Sequence, residues 1–128
     1  MRIEHIALNV ERPVEVAAWY CRCLGFTVKR SIPEPHSTYF LADESGETIL
    51  ELYCNPTAPV PDYFAWPPLT FHIAFVCDDI PGTVERLRRA GARVESPPSA
   101  SGADELAMMR DPFGLCIQLA RRASPLRG

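Results

Sequence analysis

His5-Ile6-Ala7 and His72-Ile73-Ala74 are one tripeptide written twice, 67 residues apart (72 − 5), and each copy lies inside an extended apolar segment, Ile3 to Val10 and Leu69 to Cys77. Self-similarity at a fixed period is the mark of a chain built from repeated supersecondary units. A helical pattern follows each copy: Pro13 to Leu24, closed by Gly25, and Ile80 to Ala90, closed by Gly91. Both glycines suit a left-handed helix end. Pro13 suits a first helical turn, and Asp78 or Asp79 can accept backbone N–H bonds where the second helix starts.

Beyond each helix β-prone stretches resume. Phe26 to Arg30, Ser37 to Ala42 and Thr48 to Cys54 in the first half are answered by Ala92 to Glu95, Glu105 to Arg110 and Leu115 to Ala120 in the second. Asp43-Glu44-Ser45-Gly46 and Asp111-Pro112-Phe113-Gly114 are turn signals before the last strand of each half. Each half therefore reads β-α-β-β-β. The predicted fold is α+β: two βαβββ modules in one chain, forming a curled mixed sheet with helices on its outer face. Residues Asn55 to Pro68 hold five of the thirteen prolines and predict a stiff, extended connector. This places module one at 1–54, the linker at 55–68 and module two at 69–122, within a single domain of 1–128.

Composition agrees with a chain that folds. Apolar residues make up 47% and charged residues 23%, near average globular usage. Thirteen Lys and Arg against sixteen Asp and Glu leave a net charge of −3, without the basic stripe that a nucleic-acid partner needs. Leu69 to Cys77, the longest nearly apolar stretch, is interrupted by Thr70 and His72 and is far short of a membrane span. The N-terminus enters a strand-like alternation without a secretory pattern, so a cytoplasmic protein is expected. The five cysteines include no CxxC pair and read as reduced thiols filling small apolar sites.

Strand parity selects the residues that carry chemistry, because alternate side chains leave opposite faces of a sheet. Leu50 and Leu52 face one way and Glu51 the other; Ile117 and Leu119 do the same around Gln118; Ile6, Leu8 and Val10 flank His5. The apolar rows suit packing under helices, and the polar residue projects onto the open face. His72 lies in a strand apolar on both faces, so its side follows from its alignment with His5. Glu51 and Gln118 share the offset of 67 (118 − 51). Four potential ligands, His5, Glu51, His72 and Gln118, would then converge where the two half-sheets curl together. Two imidazoles and one carboxylate form a facial 2-His-1-carboxylate set for a divalent ion such as Fe(II), Mn, Co, Ni or Zn, to which Gln118 could add a neutral oxygen. A strand histidine taken singly is more often a hydrogen-bonded structural residue; the common offset is what shifts the balance toward a metal.

Ile3-Glu4-His5-Ile6-Ala7, the helix end Trp19-Tyr20 through Leu24-Gly25-Phe26, Asp78-Asp79 with Leu87 and Gly91, and Asp111-Pro112-Phe113-Gly114 before Ile117-Gln118-Leu119 together resemble the vicinal-oxygen-chelate superfamily over residues 2 to 120. That superfamily contains glyoxalase I, methylmalonyl-CoA epimerase, extradiol dioxygenases, fosfomycin-resistance enzymes and bleomycin-binding proteins. The resemblance implies metal ligands at His5, Glu51, His72 and Gln118, a small substrate that chelates the ion through vicinal oxygens, a Lewis-acid role for the metal, and proton transfer by Glu51. It also implies a homodimer. The metal-dependent glyoxalase, dioxygenase and fosfomycin groups usually place Glu on the final strand, where this chain has Gln118. Gln cannot act as a general base, which argues against the ordinary glyoxalase I reaction. The epimerase also has one Gln among its ligands, but in the first module; here the order is reversed.

The leading expectation is a metal-dependent glyoxalase-like enzyme of the lyase, isomerase or dioxygenase type. The alternative is a metal-free ligand-binding protein of the bleomycin-resistance type, for which the missing last-strand Glu is an argument and the retained histidines with Glu51 are a counter-argument. Tyr39, Tyr53, Phe64 and Trp66 could line a substrate cleft, with Tyr53 on the strand face of Glu51, or serve core or dimer packing. His36, among Pro33-Glu34-Pro35, reads as an exposed loop residue. Ser96 to Asp104 reads as a surface loop, with a flap over the site as the second option. The arginines at 86, 88, 89, 121 and 122 read as solvated faces.

Overall fold

The computed structural model describes residues 1–47 and 49–127. The chain forms two compact units, Met1–Pro61 and Asp62–Gly128. Each is a βαβββ module with its own four-stranded mixed sheet, so the fold is α+β with the module repeated.

In unit 1 the elements run β1 (Ile6–Asn9), α1 (Pro13–Leu24), β2 (Thr27–Ile32), β3 (Thr38–Ala42) and β4 (Ile49–Tyr53), with sheet order β1-β4-β3-β2. The pairing of β1 with β4 is parallel and the others are antiparallel. The start expected for the last strand, Thr48, lies outside the described residues. Pro13 sits in the first turn of α1, and Gly25, at φ 72°, closes it by donating its N–H to the Tyr20 carbonyl. Glu15 near the start and Arg22 near the end suit the helix dipole. The helix buries Val16, Ala17, Trp19, Tyr20 and Cys23, and the sheet answers with Leu41, Leu50 and Leu52. Asn9 closes the module: its Oδ1 accepts from Asn55 N–H at 2.8 Å while its Nδ2 donates to the carbonyls of Asn55 and Ala58 at 3.1 and 3.0 Å.

Unit 2 repeats the plan with β5 (Ile73–Val76), α2 (Ile80–Arg89), β6 (Arg93–Ser101), β7 (Asp104–Arg110) and β8 (Cys116–Arg121), in the order β5-β8-β7-β6. Of the two candidate caps, Asp79 is the one used, accepting from Gly82 N–H at 3.0 Å. The repeat is visible in the hydrogen-bond register. Ala7 pairs with Glu51 and Ala74 with Gln118; Phe40 pairs with Glu51 and Met108 with Gln118. Both first strands and both last strands thus superpose at the offset of 67.

Two stretches depart from the sequence expectation. Ser96 to Ser101 is strand rather than loop: β6 runs through Pro97-Pro98 and pairs as far as Ser101↔Asp104, with register shifts between Val94 and Ser99. Proline cannot donate to a ladder, but β6 is the outer strand of its sheet and needs donors on one side only, and the irregularities absorb the missing N–H groups. Residues 62–68, read as extended connector, instead contain a 3-10 turn at Tyr63–Ala65 that packs within unit 2. The cause is Arg110, which is only 4% exposed. Its Nη1 donates to the carbonyls of Tyr63 and Gly114, both at 2.9 Å, its Nη2 to that of Trp66 at 3.1 Å, and its Nε to Glu95 Oε1 at 2.6 Å. The same guanidinium holds the Glu95 carboxyl below its ordinary value, against the burial that pushes it up.

Candidate functional site

In unit 1 the register places His5 and Glu51 together. Glu51 shares the face of its strand partners Ala7 and Phe40, while Leu50 and Leu52 turn toward α1. His5 stands one residue before β1, and its Nε2 lies 3.1 Å from Glu51 Oε2. The Phe40 ring meets the imidazole edge-on, with centroids 5.9 Å apart. The imidazole side chain is 35% exposed and the Glu51 side chain 18%, so the pair is accessible on one side and framed on the other. His5 Nδ1 contacts the Glu4 carboxylate. One imidazole thus sits between two carboxylates.

In unit 2 His72 also stands one residue before its first strand and is half-buried. Its Nδ1 lies 2.9 Å from the Pro68 carbonyl. A carbonyl oxygen can only accept, so Nδ1 carries a proton, and in a neutral ring the lone pair is then on Nε2. Gln118, half-buried, shares its strand face with Ala74 and Met108. Arg110 lies two residues along β7 from Met108 and so on that same face.

The four ligand candidates therefore fall as two matched pairs, one in each unit. Among the described residues no group of three or more His, Cys, Asp or Glu side chains is gathered that could hold a metal ion. Neither unit carries more than two of the four by itself. The donor chemistry within unit 1 nonetheless fits a divalent ion. Two ligands held at about 2.0–2.2 Å and roughly at right angles stand about 3 Å apart, close to the 3.1 Å between Nε2 and Oε2.

The aromatic candidates divide. Tyr53 lies on the face of Glu51, two residues along β4. Tyr39 does not: it is in register with Leu52 and shares the side of Leu41, which is fully buried, so it lies on the face opposite Glu51. Trp66 packs between Tyr63 and Phe71, at centroid distances of 5.1 and 6.0 Å. Phe64 is 47% exposed, with the Arg93 guanidinium 5.5 Å above its ring. The backbone carbonyl of Pro68, Phe40 and Glu4 were not singled out from the sequence. Phe40 was findable from parity once its pairing with Glu51 is known, whereas a backbone acceptor leaves no side-chain signal.

No helix among the described residues is long and apolar enough to cross a membrane. All five cysteines are reduced thiols, and burial raises the thiol values of Cys21 and Cys116.

Comparison with known proteins agrees with the duplicated architecture. The chain is 27% identical over 141 residues to a probable lactoylglutathione lyase of Vibrio parahaemolyticus serotype O3:K6 (strain RIMD 2210633), an alignment covering 99% of this chain and 95% of that protein. Among solved structures it is similar to TnmS3, an antibiotic binding protein from Streptomyces sp. CB03234, with a TM-score of 0.74, 22% identity, and coverage of 96% of this chain and 97% of that one. It is also similar to glyoxalase I from Zea mays, with a TM-score of 0.73, 25% identity and 96% of this chain covered, but it spans only 45% of the maize chain. Residues 2–119 match the Glyoxalase/Bleomycin resistance protein/Dioxygenase superfamily, and the chain belongs to that superfamily.

Proposed function

We propose that the protein is a metal-dependent glyoxalase-like enzyme, of lyase, isomerase or dioxygenase type, acting on a small molecule with vicinal oxygens. His5, Glu51, His72 and Gln118 are the proposed ligands. The observation that carries this reading is the His5–Glu51 pair, 3.1 Å apart, in a strand register that repeats at His72 and Gln118. The alignment with a probable lactoylglutathione lyase supports the same class.

When bound, a divalent ion supplies Lewis acidity toward the substrate oxygens. The remaining work belongs to the chain. Glu51 is the one carboxylate in the set and so the group that can take and return a proton at its Oε atoms. Gln118 offers an amide oxygen as acceptor and an amide N–H as donor, but no base. Phe40 closes the edge of His5 against water. Tyr53, on the face of Glu51, is the proposed hydrogen-bonding contact for substrate, and Trp66 a proposed apolar one. Tyr39 leaves the proposal because of its opposite face.

The test is calorimetric titration of chelator-stripped protein with Ni, Co, Zn, Mn and anaerobic Fe(II), beside a His72→Ala control. Stoichiometric binding that the control loses is expected, from protein whose mass by light scattering is that of a homodimer. Absence of binding by every ion would sink the metal reading. It would favour metal-free ligand binding, the second reading, for which the neutral Gln118 is the specific argument.

A further inference from the structure

The two histidines are held by different means. His72 presents Nε2 because its Nδ1 is engaged by a backbone carbonyl, that of Pro68. Among the described residues no carbonyl takes that place at His5; the partner of its Nδ1 is the Glu4 side chain. Strict strand alternation would send Glu4 and His5 to opposite faces, but β1 begins only at Ile6, so the chain at residues 4 and 5 is free of that constraint. The Glu4 side chain is 78% exposed, and among the described residues His5 is its one hydrogen-bonding and ion-pair partner.

We infer that Glu4 is a positioning residue for His5: its carboxylate accepts from Nδ1, turns Nε2 toward Glu51, and so preforms half of the site in unit 1. The inference rests on the ligand assignment above and deepens it. A carboxylate that accepts from the far nitrogen of a ligating imidazole fixes the ring orientation and tautomer and raises the donor strength of the other nitrogen. A charged partner does this more strongly than the neutral carbonyl that holds His72. It follows that position 4, which touches neither ion nor substrate, tunes the first module's histidine while the second module's is set by backbone alone.

The experiment uses the full-length protein with ¹⁵N-labelled histidine, stripped of metal, at about pH 8, where an ordinary imidazole is neutral. Long-range ¹H–¹⁵N spectra report which ring nitrogen bears the proton. Wild type is expected to show a proton on His5 Nδ1. Glu4→Ala should shift the His5 proton from Nδ1 to Nε2, where Glu51 still accepts, and leave the His72 signals where they are, which serves as the internal control for folding. Zn titration should weaken by about 10- to 100-fold in Glu4→Ala, the usual cost of removing such a partner. Glu4→Gln should fall between, because its amide oxygen still accepts but carries no charge. A Glu4→Ala protein with the wild-type His5 tautomer and Zn affinity within about twofold of wild type, well under that usual cost, would overturn the inference. If wild type itself binds no Zn, the metal assignment fails, and the tautomer spectra still decide the role of Glu4.

Discussion

Unit 1 and unit 2 share a backbone plan and differ in where they keep charge. Ala7↔Glu51 and Ala74↔Gln118 occupy the same register position, and a histidine stands one residue before each first strand. In unit 1 that histidine lies between the carboxylates of Glu4 and Glu51. In unit 2 the corresponding groups are a backbone carbonyl and an amide. The asymmetry reverses deeper in the sheet. Ala42, in register with Ile49, is matched in unit 2 by Arg110, in register with Cys116, and only the second module buries a guanidinium there. A duplicated frame thus lets its copies diverge in role. One copy keeps a carboxylate pair around its histidine, and the other a buried cation that ties residues 63–66 to the sheet.

Moving the carboxylate challenges this asymmetry most strongly. Glu51→Gln is expected to lower kcat/KM by about 10²- to 10⁴-fold, the range for loss of a general base, with the fold intact by circular dichroism. In the double variant Glu51→Gln with Gln118→Glu the ligand types are restored, so metal binding by calorimetry should persist. Turnover of the wild-type substrate should stay lost, because the carboxylate then belongs to the other module. Full recovery would show that the halves are interchangeable.

Next in size is the buried cation. Arg110→Ala takes the donor from three carbonyls and leaves Glu95 with the 3.5 Å ion pair to Arg93, and it should cost about 3–5 kcal/mol in denaturant unfolding, the range for breaking a buried ion pair. Ala42→Val in unit 1 tests whether any packing change at the equivalent position does as much; it is expected to cost less. The ion pair also predicts a pH dependence. Because the folded protein holds Glu95 below its ordinary value, its contribution is complete above the usual glutamate range and disappears as the pH falls through the lowered value. Glu95→Gln should therefore flatten the acid limb of stability against pH.

The smallest effect separates the two turns before the last strands. Gly46 and Gly114 both have positive φ, 72° and 104°. A Cβ at Gly46 would meet only Lys29 Nζ at 3.9 Å, whereas at Gly114 it would stand 2.7 Å from the backbone N of Phe64. Gly46→Ala should cost about 1–2 kcal/mol for the left-handed backbone alone. Gly114→Ala should cost more by thermal unfolding, because the segment that Arg110 anchors must also move.

The legible and the hidden parts of this protein divide along the same line. The repeat at 67, the helix ends at Pro13, Gly25, Asp78 or Asp79, and Gly91, and the isolation of Glu51 and Gln118 among leucines and isoleucines were all readable, because periodicity and caps are local properties of the chain. The strand through Pro97-Pro98 was not, since its composition is that of a loop and only its place at the sheet edge makes proline tolerable. Tyr39 was set on the wrong face for a contact with Glu51 by a pairing with Leu52 that no single strand encodes.

The sequence by itself determined that this chain is a duplicated βαβββ protein and which polar residues stand at equivalent positions in the two copies, because hydrophobic alternation and turn chemistry are written residue by residue. Only the tertiary structure decided who holds each histidine. The Glu4 carboxylate on His5, the Pro68 carbonyl on His72 and the Arg110 guanidinium beneath residues 63–66 are contacts set by where the chain leaves its strands and by what register brings alongside, and hydrogen bonds depend on that geometry rather than on order along the chain.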